Sequence, residues 1–145
     1  MNMRCLVALI ALTCLTFPAT AEEPVAARKV NFGAVLTDIE GKPFNWDCKK
    51  LNETDDKKCE EWRPMTLALL ASSALSRNSP ATAGTDQIHR ALLAQEIYKG
   101  GDIALDGKDT TLVCDAIASF VADTKNSTIV TLRAWEIIDP ARVKK

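Results

Sequence analysis

Apolar positions change their period about a third of the way along the chain. Between Val30 and Trp46, β-forming residues at Phe32, Val35, Leu36 and Ile39 are followed by Phe44 and Trp46, with Asp38-Ile39-Glu40-Gly41-Lys42 between them. The pattern predicts a β-hairpin whose Gly41 is free to take a positive φ and whose Pro43 sits at a strand start or a sheet edge. A lone hairpin is marginally stable in water, so its apolar face must pack on something else.

Helical spacing dominates from Pro64 onward. Pro64 suits the first position of a helix through Met65-Thr-Leu-Ala-Leu-Leu-Ala-Ser-Ser-Ala-Leu75, with Leu67, Leu70, Ala71, Ala74 and Leu75 on its apolar face. A loop over Asn78–Gly84 leads to Thr85 as N-cap of a second helix. That helix spans about Asp86–Tyr98, carries Ile88, Leu92, Leu93 and Ile97, and stops at Gly100-Gly101. A third helix opens at Asp109 or Thr110 and carries Leu112, Val113, Ile117, Phe120 and Val121. In Thr128–Ile138 the β-branched content suits a strand. Ser127 as N-cap, the Trp135/Ile138 spacing and the Asp139-Pro140 stop favour a helix. The predicted fold class is α+β: a short N-terminal β-hairpin packed on a compact bundle of three to four helices. Leu67, Leu70, Leu92, Ile97, Leu105, Leu112, Ile117, Phe120, Val121, Leu132 and Trp135 are its expected core.

Ahead of this domain the sequence has a different logic. Met-Asn-Met-Arg4 precedes an apolar run from Cys5 to Phe17, then Pro18-Ala19-Thr20-Ala21 and Glu22-Glu23-Pro24. A positive start, a short apolar run and a small-x-small site make a cleavable secretory signal. The run falls short of the roughly 20 residues that a membrane-spanning helix needs, which argues against an uncleaved anchor. Cys14 would be a lipidation site only with a small residue just before it, and Leu12-Thr13 precede it. The expected organisation is a signal peptide over 1–21, a flexible polar lead-in over 22–29 and one globular domain over 30–145. The expected location is periplasmic or extracellular.

Charge and cysteines narrow the partners. Loss of Arg4 with the signal leaves 17 basic against 19 acidic side chains, near −2 in net charge, with no electrostatic drive toward nucleic acid or anionic lipid. No second apolar stretch approaches spanning length, so no membrane insertion is expected after cleavage. Three cysteines remain: Cys48, Cys59 and Cys114. Export permits disulfides, and Cys48 and Cys59 bracket the polar stretch Lys49–Lys58, read as a surface loop. A Cys48–Cys59 bridge is favoured over free thiols and would stabilise the fold by roughly 2.5–3 kcal/mol on the chain-entropy relation. Cys114 lies in an apolar run and is expected as a small buried hydrophobe.

Candidate chemistry is sparse. The single histidine, His89, would need Cys114 as nucleophile and Asp115 as orienter for thiol chemistry. Burial of Cys114 would make that thiol inert. A zinc set of Cys48, Cys59, Cys114 and His89 lacks the close ligand pairs zinc sites use, and the bridge removes two members. Asp102–Asp109 fails the calcium-loop pattern, and Asp106-Gly107 reads as a turn. Glu60-Glu61, beside Lys57-Lys58, reads as a solvated charged face. Asn52-Glu-Thr and Asn126-Ser-Thr match the glycosylation acceptor pattern and would be accidental in a bacterium. No catalytic residue, cofactor or metal is therefore assigned. Trp46 and Trp62 flank the polar loop and form the candidate interaction surface, unless both rings simply close the hairpin against the helices.

The order of segments, a Gly-turned hairpin followed by "TLALLASSAL", "RALLAQEIYKGGDIAL", "DTTLVCDAIASF" and "TIVTLRAWEIIDP", resembles small uncharacterised proteins of tailed-phage and prophage genomes over about 32–140. The resemblance implies a fold and no activity, and the signal peptide and the Cys48–Cys59 loop depart from it. Together these readings point to an exported, non-enzymatic small interaction or accessory protein, of phage or prophage derivation, whose partner is a protein in the cell envelope or outside the cell. The alternative is a thiol-dependent enzyme or redox protein using Cys114 with His89.

Overall fold

The computed structural model describes residues 26–52, 55–77, 84–122, 124 and 127–144. The expected signal peptide, most of the lead-in, most of the Asn78–Gly84 loop and the Asn126 acceptor lie outside the described residues. Element order is β1 (Arg28–Asn31), β2 (Asn45–Asn52), β3 (Asp55–Pro64), α1 (Leu67–Ser76), α2 (Gly84–Tyr98), β4 (Asp102–Leu105), α3 (Gly107–Val121), α4 (Ser127–Ile138) and α5 (Pro140–Val143). The fold class is α+β, as the change of period implies.

The strands pair differently from the expected hairpin. β1 is antiparallel to β4, with Val30 opposite Ile103 and Arg28 opposite Leu105, so Arg28 and Lys29 of the polar lead-in belong to a sheet. The alternation explains the pairing: Val30, Ile103 and Leu105 are buried while their neighbours face water. The Gly41 turn does form. Phe44 N–H donates to Leu36 O at 2.9 Å, Thr37 bridges Pro43, and Gly41 takes φ +81°. It amounts to a bridge and a turn, because the chain around Leu36 bonds to Met65 instead of continuing a ladder. The longer hairpin, β2–β3, is built from the polar stretch that the sequence presented as a loop.

Helix boundaries follow local capping. Thr66 rather than Pro64 starts α1, its hydroxyl accepting from Leu69 N–H, and Pro64 ends β3. Asp106 caps α3 by accepting from Asp109 N–H at 2.7 Å, so the expected Asp106-Gly107 turn is a strand end followed by a cap. Gly100 and Gly101, at φ +74° and +86°, turn α2 into β4, where Gly101 O receives Phe32 N–H.

The core gathers Val30, Phe32, Leu36, Leu67, Leu70, Ile97, Leu105, Val113, Ile117 and Ile138, with Cys114 among them. Each large side chain buried this way contributes roughly 1.5–3 kcal/mol. Two expected core members are outside: Leu92 is 61% exposed and Leu132 39%. On α2 the buried residues are Leu93, Ala94 and Ile97, and α2 packs chiefly on α1. That choice leaves Ile88 and Leu92, close to half a turn from the centre of the buried face, in water.

Candidate functional site

Between Asn45 and Pro64 the chain has too few apolar residues to enter the core, and it forms a two-stranded arm instead. The buried core lies before and after it, in Val30–Leu36 and from Leu67 onward. Among the described residues, β2 and β3 pair extensively with each other and touch the helices only at the fringe. The ladder is irregular. Its register shifts four times, and the first shift leaves Trp46 as an extra residue between the Asn45–Pro64 and Asp47–Arg63 pairs. A bulge re-aims the side chain it carries. Trp46 is half-buried against the core and stacks on Phe120 of α3, with ring centroids 6.4 Å apart and planes at 16°.

Trp62 has a different fate. It lies directly opposite Cys48, one ladder position beyond the Asp47–Arg63 pair and with no shift between them. Opposed residues share a face and neighbours alternate, so Trp62 and Cys48 face one way and Asp47 and Arg63 the other. The second face carries exposed cross-strand ion pairs, Arg63 Nε to Asp47 at 3.2 Å and Lys49 Nζ to Glu61 at 3.1 Å. Such exposed pairs contribute at most about 1 kcal/mol each. The first face carries the tryptophan, 50% exposed. The two tryptophans therefore divide between the two readings: Trp46 closes the arm on the helices and Trp62 remains at the surface.

Cys48 and Cys59 form a disulfide with their Cα atoms 5.7 Å apart. In a regular ladder with Cys48 opposite Trp62, Cys59 would lie about 10 Å farther along its strand. The shifts on either side of Lys50 cancel and leave Cys59 opposite Leu51, so the bond is made across the irregular stretch between these pairs and not by a net change of register. The bond suits an oxidising environment. Among the described residues no helix is long and apolar enough to cross a membrane.

A groove of about 750 Å³ lies beside the root of the arm, walled by Phe44, Trp46, Met65, Phe120, Ile129 and Val130. The Arg77 guanidinium lies 5.5 Å from the Phe120 ring centroid. The acids at the rim are occupied. Asp38 Oδ1 accepts the Glu40 and Lys42 N–H groups at 2.8 and 2.9 Å, and Glu40 pairs with Lys42 Nζ at 2.7 Å.

Of the thiol reading's residues, His89 and Asp115 line one cleft, and the buried Cys114 is not part of its walls. His89 Nε2 is 2.7 Å from Asp109 Oδ1, in a charged cleft with Asp86, Arg90, Asp106 and Lys108. Asp115 accepts from Arg142 Nη1 at 2.6 Å, which raises the arginine pKa. Cys114 is fully buried, and desolvation is the main cause that pushes its thiol up to about 11, opposed by the positive field of Arg142. A protonated, enclosed thiol is a poor nucleophile. Cys48 and Cys59 are bonded to each other, so the four-ligand zinc set does not exist as drawn. The Asp102–Asp109 acids are dispersed as well: Asp102 pairs with Lys29 at 3.1 Å, and Asp106 is a helix cap.

Phe120 enters the site only through the structure, because its helical spacing reads equally as core. Arg77, beyond the apolar period of α1, gave no signal of its ring contact. No protein-family model, curated protein or solved structure matches this chain.

Proposed function

We propose that this protein is exported and acts by contact rather than catalysis, as a small accessory protein that binds a protein partner in the periplasm or outside the cell. The observation that carries the proposal is a half-exposed tryptophan on a disulfide-closed arm that the helices leave uncovered. Tryptophan is enriched at interface hot spots, and a cross-linked ribbon loses little freedom on binding. The secretory pattern of residues 1–21 supports export, and the segment order supports a phage or prophage origin. The partner recognises the Trp62 and Cys48 face of the arm, while Trp46 anchors the arm to the body.

The test is a photo-crosslinking amino acid placed at position 62 in expressing cells, compared with the same group at the exposed Ala141. A discrete adduct from position 62 alone, lost when Cys48 and Cys59 are both changed to Ser, is the expected result. Equal labelling at both positions would remove the arm from the account, and position-62 adducts that persist without the disulfide would remove the bond from it.

A further inference from the structure

We infer that the β2–β3 arm is a redox-controlled element, ordered when Cys48 and Cys59 are joined and opened by reduction while the helical body stays folded. Three observations converge on it. Among the described residues the arm contributes none to the fully buried core, and its contact with the body is Trp46 at its root, so the stretch beyond Trp46 is held by its own pairing and the disulfide. Its ladder is interrupted by four register shifts, each of which sacrifices regular backbone pairing. The disulfide spans a sequence separation of 11 within the arm itself and directly adjoins Trp62 across the ladder, so its constraint acts on the arm alone.

The step is a thiol–disulfide exchange with a dithiol. The dithiol gives two electrons and two protons and becomes a disulfide, and the Cys48–Cys59 bond becomes two thiols. Closure of a loop of about a dozen residues suppresses the open state by about a hundredfold on the chain-entropy relation. Reduction releases that factor in the arm. The consequence for partner contact rests on the proposed role of Trp62, but the change of order does not and is measured without any partner.

The experiment is amide hydrogen exchange followed by mass spectrometry on the oxidised protein, on protein held in dithiothreitol, and on the Cys48→Ser/Cys59→Ser variant. Peptides covering 45–64 should exchange about a hundredfold faster in the last two samples, with α1 and α3 unchanged. Equal arm exchange in all three would overturn the inference. Acceleration of α1 and α3 along with the arm would overturn it too, since the bond would then hold the whole domain. A missing crosslink at position 62 in oxidised protein would defeat the proposed function and leave this result standing.

Discussion

Cys114 provides a quantitative test of the helical body. Its side chain is fully enclosed, and burial raises its pKa from an ordinary 9.0 to about 11. The unfolded chain therefore loses this proton at lower pH than the native protein, and stability must fall as pH rises between 9 and 11. Below pH 9 the contribution is fully present. At pH 11 the unfolded thiol is ionised and the native one about half so, which lowers unfolding free energy by about 2 kcal/mol. Other groups titrate in the same range, so the comparison is with Cys114→Ala, which keeps them and removes the thiol. Urea unfolding followed by circular dichroism at pH 8 and at steps up to 11 would show the wild type losing about 2 kcal/mol more than the variant. Parallel curves would refute the reasoning, because the thiol would then ionise equally in both states. Rapid alkylation of Cys114 in native protein at pH 8 would refute it independently and would revive the thiol-enzyme reading.

The arm and the body respond differently to substitution. Trp46→Ala removes a partly buried ring from its stack on Phe120 and should cost about 2–3 kcal/mol in denaturant unfolding. Trp62→Ala should stay within about 0.5 kcal/mol, since its ring is half in water; equal costs would mean the two rings share one environment. Ile97→Ala, at a fully buried position of α2, should cost about 2–5 kcal/mol in the same assay, and Leu92→Ala, five residues earlier on the same helix and 61% exposed, should cost under about 1 kcal/mol. Removal of the Thr66 cap by Thr66→Ala should cost about 1 kcal/mol, measured the same way, and a neutral result would mean that α1 begins elsewhere.

Helices were legible because they carry their own start and stop signals. Gly100 and Gly101, just beyond Tyr98 and Lys99, end α2 where expected, and Asp139-Pro140 ends α4, although Pro140 also begins the short α5 that its fixed φ permits. Strand partners were not legible, since a four-residue strand holds too little pattern to name its mate. β4 has only Ile103 and Leu105 as inward residues, and β1 has only Val30. The polar β2–β3 ribbon was hidden for a related reason: strands made mainly of charged and polar residues lack the apolar alternation by which strands are recognised. The cysteine pair marked that segment for closure, and the structure joins them. The separation of the two tryptophans depends on a bulge at Trp46, which local sequence does not announce. On α2, Ile88 and Leu92 compete with Leu93 and Ile97 for the inward face, and the packing of α1 decides between them.

The most direct test of an exported protein with a disulfide-closed arm is the intact mass of the protein recovered from expressing cells, alkylated in denaturant with and without prior reduction. The account predicts a chain that begins at Glu22, with one alkylated thiol before reduction and three after it. A full-length chain with all five cysteines of the sequence alkylated without reduction would contradict both the export and the bridge.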